Sequence, residues 1–172
     1  MHSLSSAHMS QMIGLLEVLE DFNGRVDAAK VADDLLLELD DLLPAVDAAD
    51  LLGFLKVDLG DLILTDEGKR FLSRGSSGRK RMLNRILSKT PVFKSVIVFI
   101  KHNEDAETTK DDVIDFLRRE MPDLEAESTF RWLVEWGRYA LLLRYDSNNG
   151  KIKVVQPPAA TQPPTPQESK LE

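Results

Sequence analysis

The stretch Gly75-Ser76-Ser77-Gly78-Arg79-Lys80 comes nearest to chemistry in this sequence. A phosphate cradle needs a glycine-rich loop whose N–H groups face the anion, a lysine for charge and a following Ser or Thr for magnesium. Here the spacing is wrong and no hydroxyl follows Lys80. The segment also shares the spacing of the Gly-x-x-Gly loop of single-strand RNA readers. Its simpler reading is a linker followed by a basic helix start. Metal binding would need clustered His, Cys and carboxylates, but the chain has no cysteine, and its sole interior histidine, His102, sits beside Asn103, Glu104 and Asp105 in what reads as a solvated loop. No serine has a motif around it that would supply a general base. The adjacent carboxylates Asp33-Asp34, Asp40-Asp41 and Asp111-Asp112 are explained by helix capping and solubility. These residues predict no catalytic site, no metal site and no cofactor.

The elements that carry them follow from periodicity. Met12, Leu15, Leu16, Leu19 and Phe22 recur at helical spacing, and Asn23-Gly24 ends that helix. Ala28, Val31, Ala32 and Leu35 mark a second helix, and a third opens at Asp40-Asp41, with Pro44 tolerated in its first turn. Gly53 closes it. Phe54 to Asp58, a turn at Gly60-Asp61 and Leu62 to Leu64 read as a β-hairpin, and Thr65 caps a helix running to about Arg74. The order then recurs. Helices are expected at Arg79 to Leu87 and Val92 to Lys101, then one opening at the capping-box spacing Thr108 to Asp111 and stopping at Pro122. A helix with Ala126, Phe130, Leu133 and Gly137 on one face leads to a hairpin of Tyr139 to Tyr145 and Lys151 to Val155 around Asn149-Gly150.

This pattern predicts a mainly α fold with two short β-hairpins, arranged as tandem winged-helix units. The expected division is an N-terminal extension at 1–8, a first unit at 9–74, a flexible linker at 75–78, a second unit at 79–155 and a disordered Pro-rich tail at 156–172. The paired Gly53-Phe54 and Gly137-Arg138-Tyr139 are expected to close a helix before a strand anchor in each unit. The most apolar run, Val96 to Ile100, is far short of the roughly 20 residues of a membrane span, so no direct membrane insertion is expected. Nor does the N-terminus have the basic start and apolar core of a secretory signal. The chain reads as cytoplasmic.

Net charge is −7, which argues against general nucleic-acid affinity, but it is unevenly placed. Residues 1–70 hold fifteen acidic against five basic residues, whereas 74–101 hold eight basic and no acidic ones. Arg79, Lys80, Arg81 and Arg85 in this belt are the residues that a DNA-binding transcriptional regulator would use, and that is the alternative function. Both would-be recognition helices are acidic, which adds repulsion at phosphates, and the belt is also explained as the solvated face of a linking helix. On the last helix, with Phe130 facing the core, steps of about 100° place Trp132 and Trp136 off the apolar stripe. They are expected to form a partner-docking surface, Trp132 staying partly exposed.

Several segments resemble the C-terminal AAA-associated domain behind the ATPase of nitrate, sulfonate and taurine type ABC transporters. They are Gly14 to Leu19, Asp41-Leu42-Leu43-Pro44 through Gly53-Phe54, Gly60 to Thr65, and Trp136-Gly137-Arg138-Tyr139-Ala140 with Tyr145-Asp146. The resemblance implies a non-catalytic regulatory or interaction module whose partner is an ABC transporter ATP-binding subunit or domain. That would place it at the inner face of a membrane through the transporter complex. A second copy of the chain is a further candidate partner. The phosphate loop and signature motif of the ATPase itself are not in this sequence.

Overall fold

The computed structural model describes residues 7–155, so residues 1–6 of the expected extension and the expected tail lie outside the described residues. The fold is mainly helical with two small three-stranded antiparallel sheets. The first half runs α1 (Met9–Asp21), β1 (Arg25–Asp27), α2 (Ala28–Asp34), α3 (Leu39–Leu51), β2 (Leu55–Asp58), β3 (Asp61–Leu64) and α4 (Asp66–Ser73). A bridging helix, α5 (Ser76–Leu87), leads to the second. There α6 (Pro91–Lys101) is followed by a short 3-10 turn, β4 (Glu107–Thr109), α7 (Lys110–Leu117), α8 (Asp123–Tyr139), β5 (Leu143–Asp146) and β6 (Lys151–Val154).

Both hairpins form as expected, but each gains a third strand. β1 pairs with β3 to give the order β1-β3-β2, and β4 pairs with β6 to give β4-β6-β5. Each added strand is three residues long with one buried side chain, Val26 or Thr108. That is too short for an alternating pattern to show in the sequence.

The halves share several backbone hydrogen bonds at equivalent places. Ala28 N–H donates to Gly60 O and Lys110 N–H to Gly150 O, so each hairpin tip caps the strand-to-helix junction beside it. Phe54 N–H donates to Ala49 O and Leu142 N–H to Gly137 O; Thr65 N–H donates to Phe54 O and Val155 N–H to Leu142 O. The diagonal ion pair is kept with its polarity reversed. Arg25 Nε is 2.7 Å from Asp61, and Glu107 is 2.7 Å from Lys151 Nζ.

That equivalence corrects the second helix-to-strand junction. Gly137 lies inside α8, and the left-handed position held by Gly53 (φ 75°) is held instead by Leu141 (φ 57°). Gly137 serves close packing, since a Cβ there would meet Leu143 Cδ1 at 2.8 Å and Cβ at 3.1 Å. The strand consequently starts at Leu143, not Tyr139. Ser76, Ser77 and Gly78 form the first turn of α5, where a flexible linker was expected. The first hairpin turns on Leu59 and Gly60, both at positive φ as a two-residue type I′ turn requires. The capping box of α7 is one residue later than its spacing suggested, with Thr109 and Asp112 bonding reciprocally.

α1 and α6 sit at equivalent places. Met12, Leu15, Leu16 and Leu19 of α1 and Phe93, Val96 and Ile100 of α6 are fully buried. A single hydrophobic core runs through both halves. α5 packs on both α4 and α8, and its Met82, Leu83 and Leu87 are buried.

Candidate interaction surfaces

Trp132 and Trp136 do not form an exposed pair. They are 3% and 0% exposed, and the docking surface expected from them is overturned. A one-stripe helical wheel fails on α8 because this helix is covered from several sides: α7 and β5 pack on it, and so does α5. Phe93 of α6 lies 5.1 Å from Trp132, and the two indoles are 5.6 Å apart. Trp136 Nε1–H donates to Ala7 O at 3.0 Å, while Trp132 Nε1–H is buried with no hydrogen-bond partner among the described residues.

The contact at Ala7 belongs to a clamp between the halves. Met9 N–H, in the first turn of α1, donates to Glu135 Oε1 at 3.0 Å, and His8 Nδ1 lies 3.1 Å from Glu135 Oε2. α1 has no capping side chain of its own, so a carboxylate from α8 meets one of its free N–H groups and its dipole. Ala7 and His8 are therefore seated on the second half. Nothing in the local sequence marks this, because the cap comes from 126 positions away.

The basic belt is divided by the fold. Arg79 donates to Phe71 O at 3.3 Å and Leu72 O at 2.9 Å, stacks on Phe71 and reaches Glu17 at 4.0 Å. It holds the C-terminal end of α4 and is spent on joining the halves. Lys80 lies over the Tyr139 ring at 5.7 Å. Arg81 and Arg85, one turn apart on α5, are the two that project to solvent. The four named cations thus make no common surface. His102 bonds back to Val98 O at 2.7 Å, and among the described residues no group of three His, Cys, Asp or Glu lies together as a metal set.

A further concavity lies where the end of α8 meets the second sheet. This cleft of about 620 Å³ is lined by Arg138, Leu141, Arg144, Tyr145, Lys151 and Lys153 among others. Arg144 and Lys153 stand directly opposite each other across the β5-β6 ladder. The Lys151 ammonium, donating to Glu107, holds that carboxyl below its ordinary range, and Glu107 in turn raises the pKa of Lys151. Sequence reasoning missed this cluster although all its members but Glu107 lie within residues 138–155, because only the register of β4, β5 and β6 shows which of them share a face.

With this geometry in place, the comparisons are decisive for family. The model of the C-terminal AAA-associated domain matches residues 29–146, from α2 through β5. The chain belongs to the C-terminal AAA-associated domain family. No curated protein and no solved structure matched it. In this AAA-associated domain α1, β1 and β6 fall outside the matched span yet complete the shared core and the two sheets. By its family description, the domain accompanies an AAA-type ATPase. Among the described residues, no helix is long and apolar enough to cross a membrane.

Proposed function

We propose that this AAA-associated domain is a non-catalytic regulatory or protein-interaction module of an ABC transporter that takes up small anions of the nitrate and sulfonate type. It works without a cofactor, bound to the ATP-binding subunit or domain at the cytoplasmic face of the membrane. Its halves, 9–74 and 79–155, are winged-helix units used for protein contact. The observation that carries this reading is the family match over 29–146, which takes in most of both halves as one domain. The diversion of Arg79 and Lys80 into the fold supports protein contact over DNA.

Two measurements on the purified chain test the proposal together. Titration calorimetry with magnesium ATP is expected to give no binding heat, and size-exclusion chromatography with the ATP-binding subunit is expected to give a co-eluting complex. Micromolar affinity for ATP would overturn the non-catalytic reading. Failure to co-elute, together with duplex DNA binding that falls steeply with salt and is lost in Arg81→Ala/Arg85→Ala, would replace it with the regulator of transcription.

A further inference from the structure

Three features of the second-sheet cleft serve no purpose in the isolated fold. Arg144 and Lys153 are like charges in direct register, an arrangement that destabilises a sheet when nothing lies between them. Arg138, Arg144 and Lys153 are all exposed; the Arg138 and Arg144 side chains make no hydrogen bond or ion pair among the described residues, while Lys153 stands between Arg144 on β5 and Glu107 on β4. Glu107 is engaged by Lys151, leaving Asp146 as the other carboxylate on the lining. Leu141 occupies a left-handed position that the first half gives to glycine, and it holds a leucine side chain 56% exposed at the mouth of the cleft. Strain kept at a solvated apolar residue beside the two unpaired guanidinium groups of Arg138 and Arg144 marks a surface built for a partner.

The chain carries the complementary surface at the C-terminal end of α3. Leu51 is 49% exposed there, next to the exposed Asp50. The last turn of α3 contains no basic residue, so Asp50 adds its charge to the negative end of the helix dipole instead of offsetting it. Cations are what such a helix end lacks, and an apolar contact is what Leu51 and Leu141 each lack. We infer that the cleft formed by Arg138, Leu141, Arg144 and Lys153 receives the C-terminal end of α3 from a second copy of the chain. Leu51 packs on Leu141, and the Asp50 carboxylate, at the negative end of the α3 dipole, faces the cations. The interspersed Glu107 and Asp146 suit a discrete carboxylate and disfavour a uniformly charged phosphate backbone. Tyr145, the aromatic of the lining, packs edge-on against Phe130 at 5.5 Å, which suits a peptide surface better than base stacking. This inference is independent of the ATPase reading.

Sedimentation equilibrium over a concentration and salt series tests it. The intact chain is expected to rise above its monomer mass of 19.4 kDa at low salt, with association weakening roughly tenfold as salt is raised to screen the pairing. Arg144→Glu/Lys153→Glu and Asp50→Lys should each be monomeric alone. Asp50→Lys should melt no lower than the parent, since it relieves the helix end. Mixed together, the two variants should associate again, because each restores the charge match that the other lost. The inference is overturned if the parent stays monomeric at low salt, if either variant associates as well as the parent, or if the mixture fails to associate. Low-salt binding of a duplex oligonucleotide that requires Arg144 and Lys153 would overturn it in favour of nucleic acid.

Discussion

Trp132 and Trp136 stand about one turn apart on α8 and are both buried, yet they differ in what their ring nitrogens do. Trp136 donates to Ala7 O, whereas the Trp132 N–H has no partner among the described residues. A buried donor left unpaired costs roughly 1–3 kcal/mol. Replacing Trp132 by Phe removes that donor while keeping a ring against Phe93; replacing Trp136 by Phe leaves Ala7 O without its bond. Trp136→Phe should therefore be the more destabilising by about 1 kcal/mol or more in urea denaturation. Trp132→Ala should cost about 3–5 kcal/mol, as for other large core side chains. Equal losses in the two Phe variants would contradict the assigned hydrogen bonding, and an unchanged midpoint in Trp132→Ala would put that ring back at the surface.

At the level of elements, much of the fold is legible wherever a local signal terminates something. Asn23 and Gly24 end α1 at positive φ, Gly53 ends α3, and Thr65 Oγ1 accepts from Gly68 N–H to start α4. The misses have physical reasons. β1 and β4 are strands only because β3 and β6 lie beside them, and no three-residue segment can announce that. Gly137 reads as a helix stop, but its lack of a side chain is used sideways, against Leu143. The capping box of α7 yields a pH prediction. Hydrogen bonds from the Thr109 and Thr108 hydroxyls and the Thr109 N–H lower the pKa of Asp112. A depressed carboxyl contributes stability above its unfolded pKa and loses that contribution as pH falls through the folded value. The protection of amides in the first turn of α7, taken relative to their intrinsic exchange at each pH, should accordingly persist through the ordinary carboxylate range and fall only below it. Thr109→Ala, which removes the largest of these contributions but leaves the Thr108 hydroxyl and the backbone N–H, should shorten that delay and cost about 1 kcal/mol. Protection already lost within the ordinary carboxylate range would contradict it.

For the whole molecule, the decisive departure from the sequence reading is that the halves are interlocked. The expected flexible joint is helix, the expected free extension includes Ala7 and His8 seated on α8, and Arg79 from the expected nucleic-acid belt ties α4 to α5. Each of these contacts joins residues whose local surroundings show no sign of it. The candidate cleft was hidden for the same reason, because strand register assembles it. A body joined in this way transmits a push on one half to the other, which suits a module acting on an ATPase. The most direct test is ATP hydrolysis by the ATP-binding subunit, followed as the intact chain is titrated in. Turnover should change and level off at a fixed ratio of chain to subunit. Turnover that stays flat up to a large excess of correctly folded chain would contradict a regulatory role.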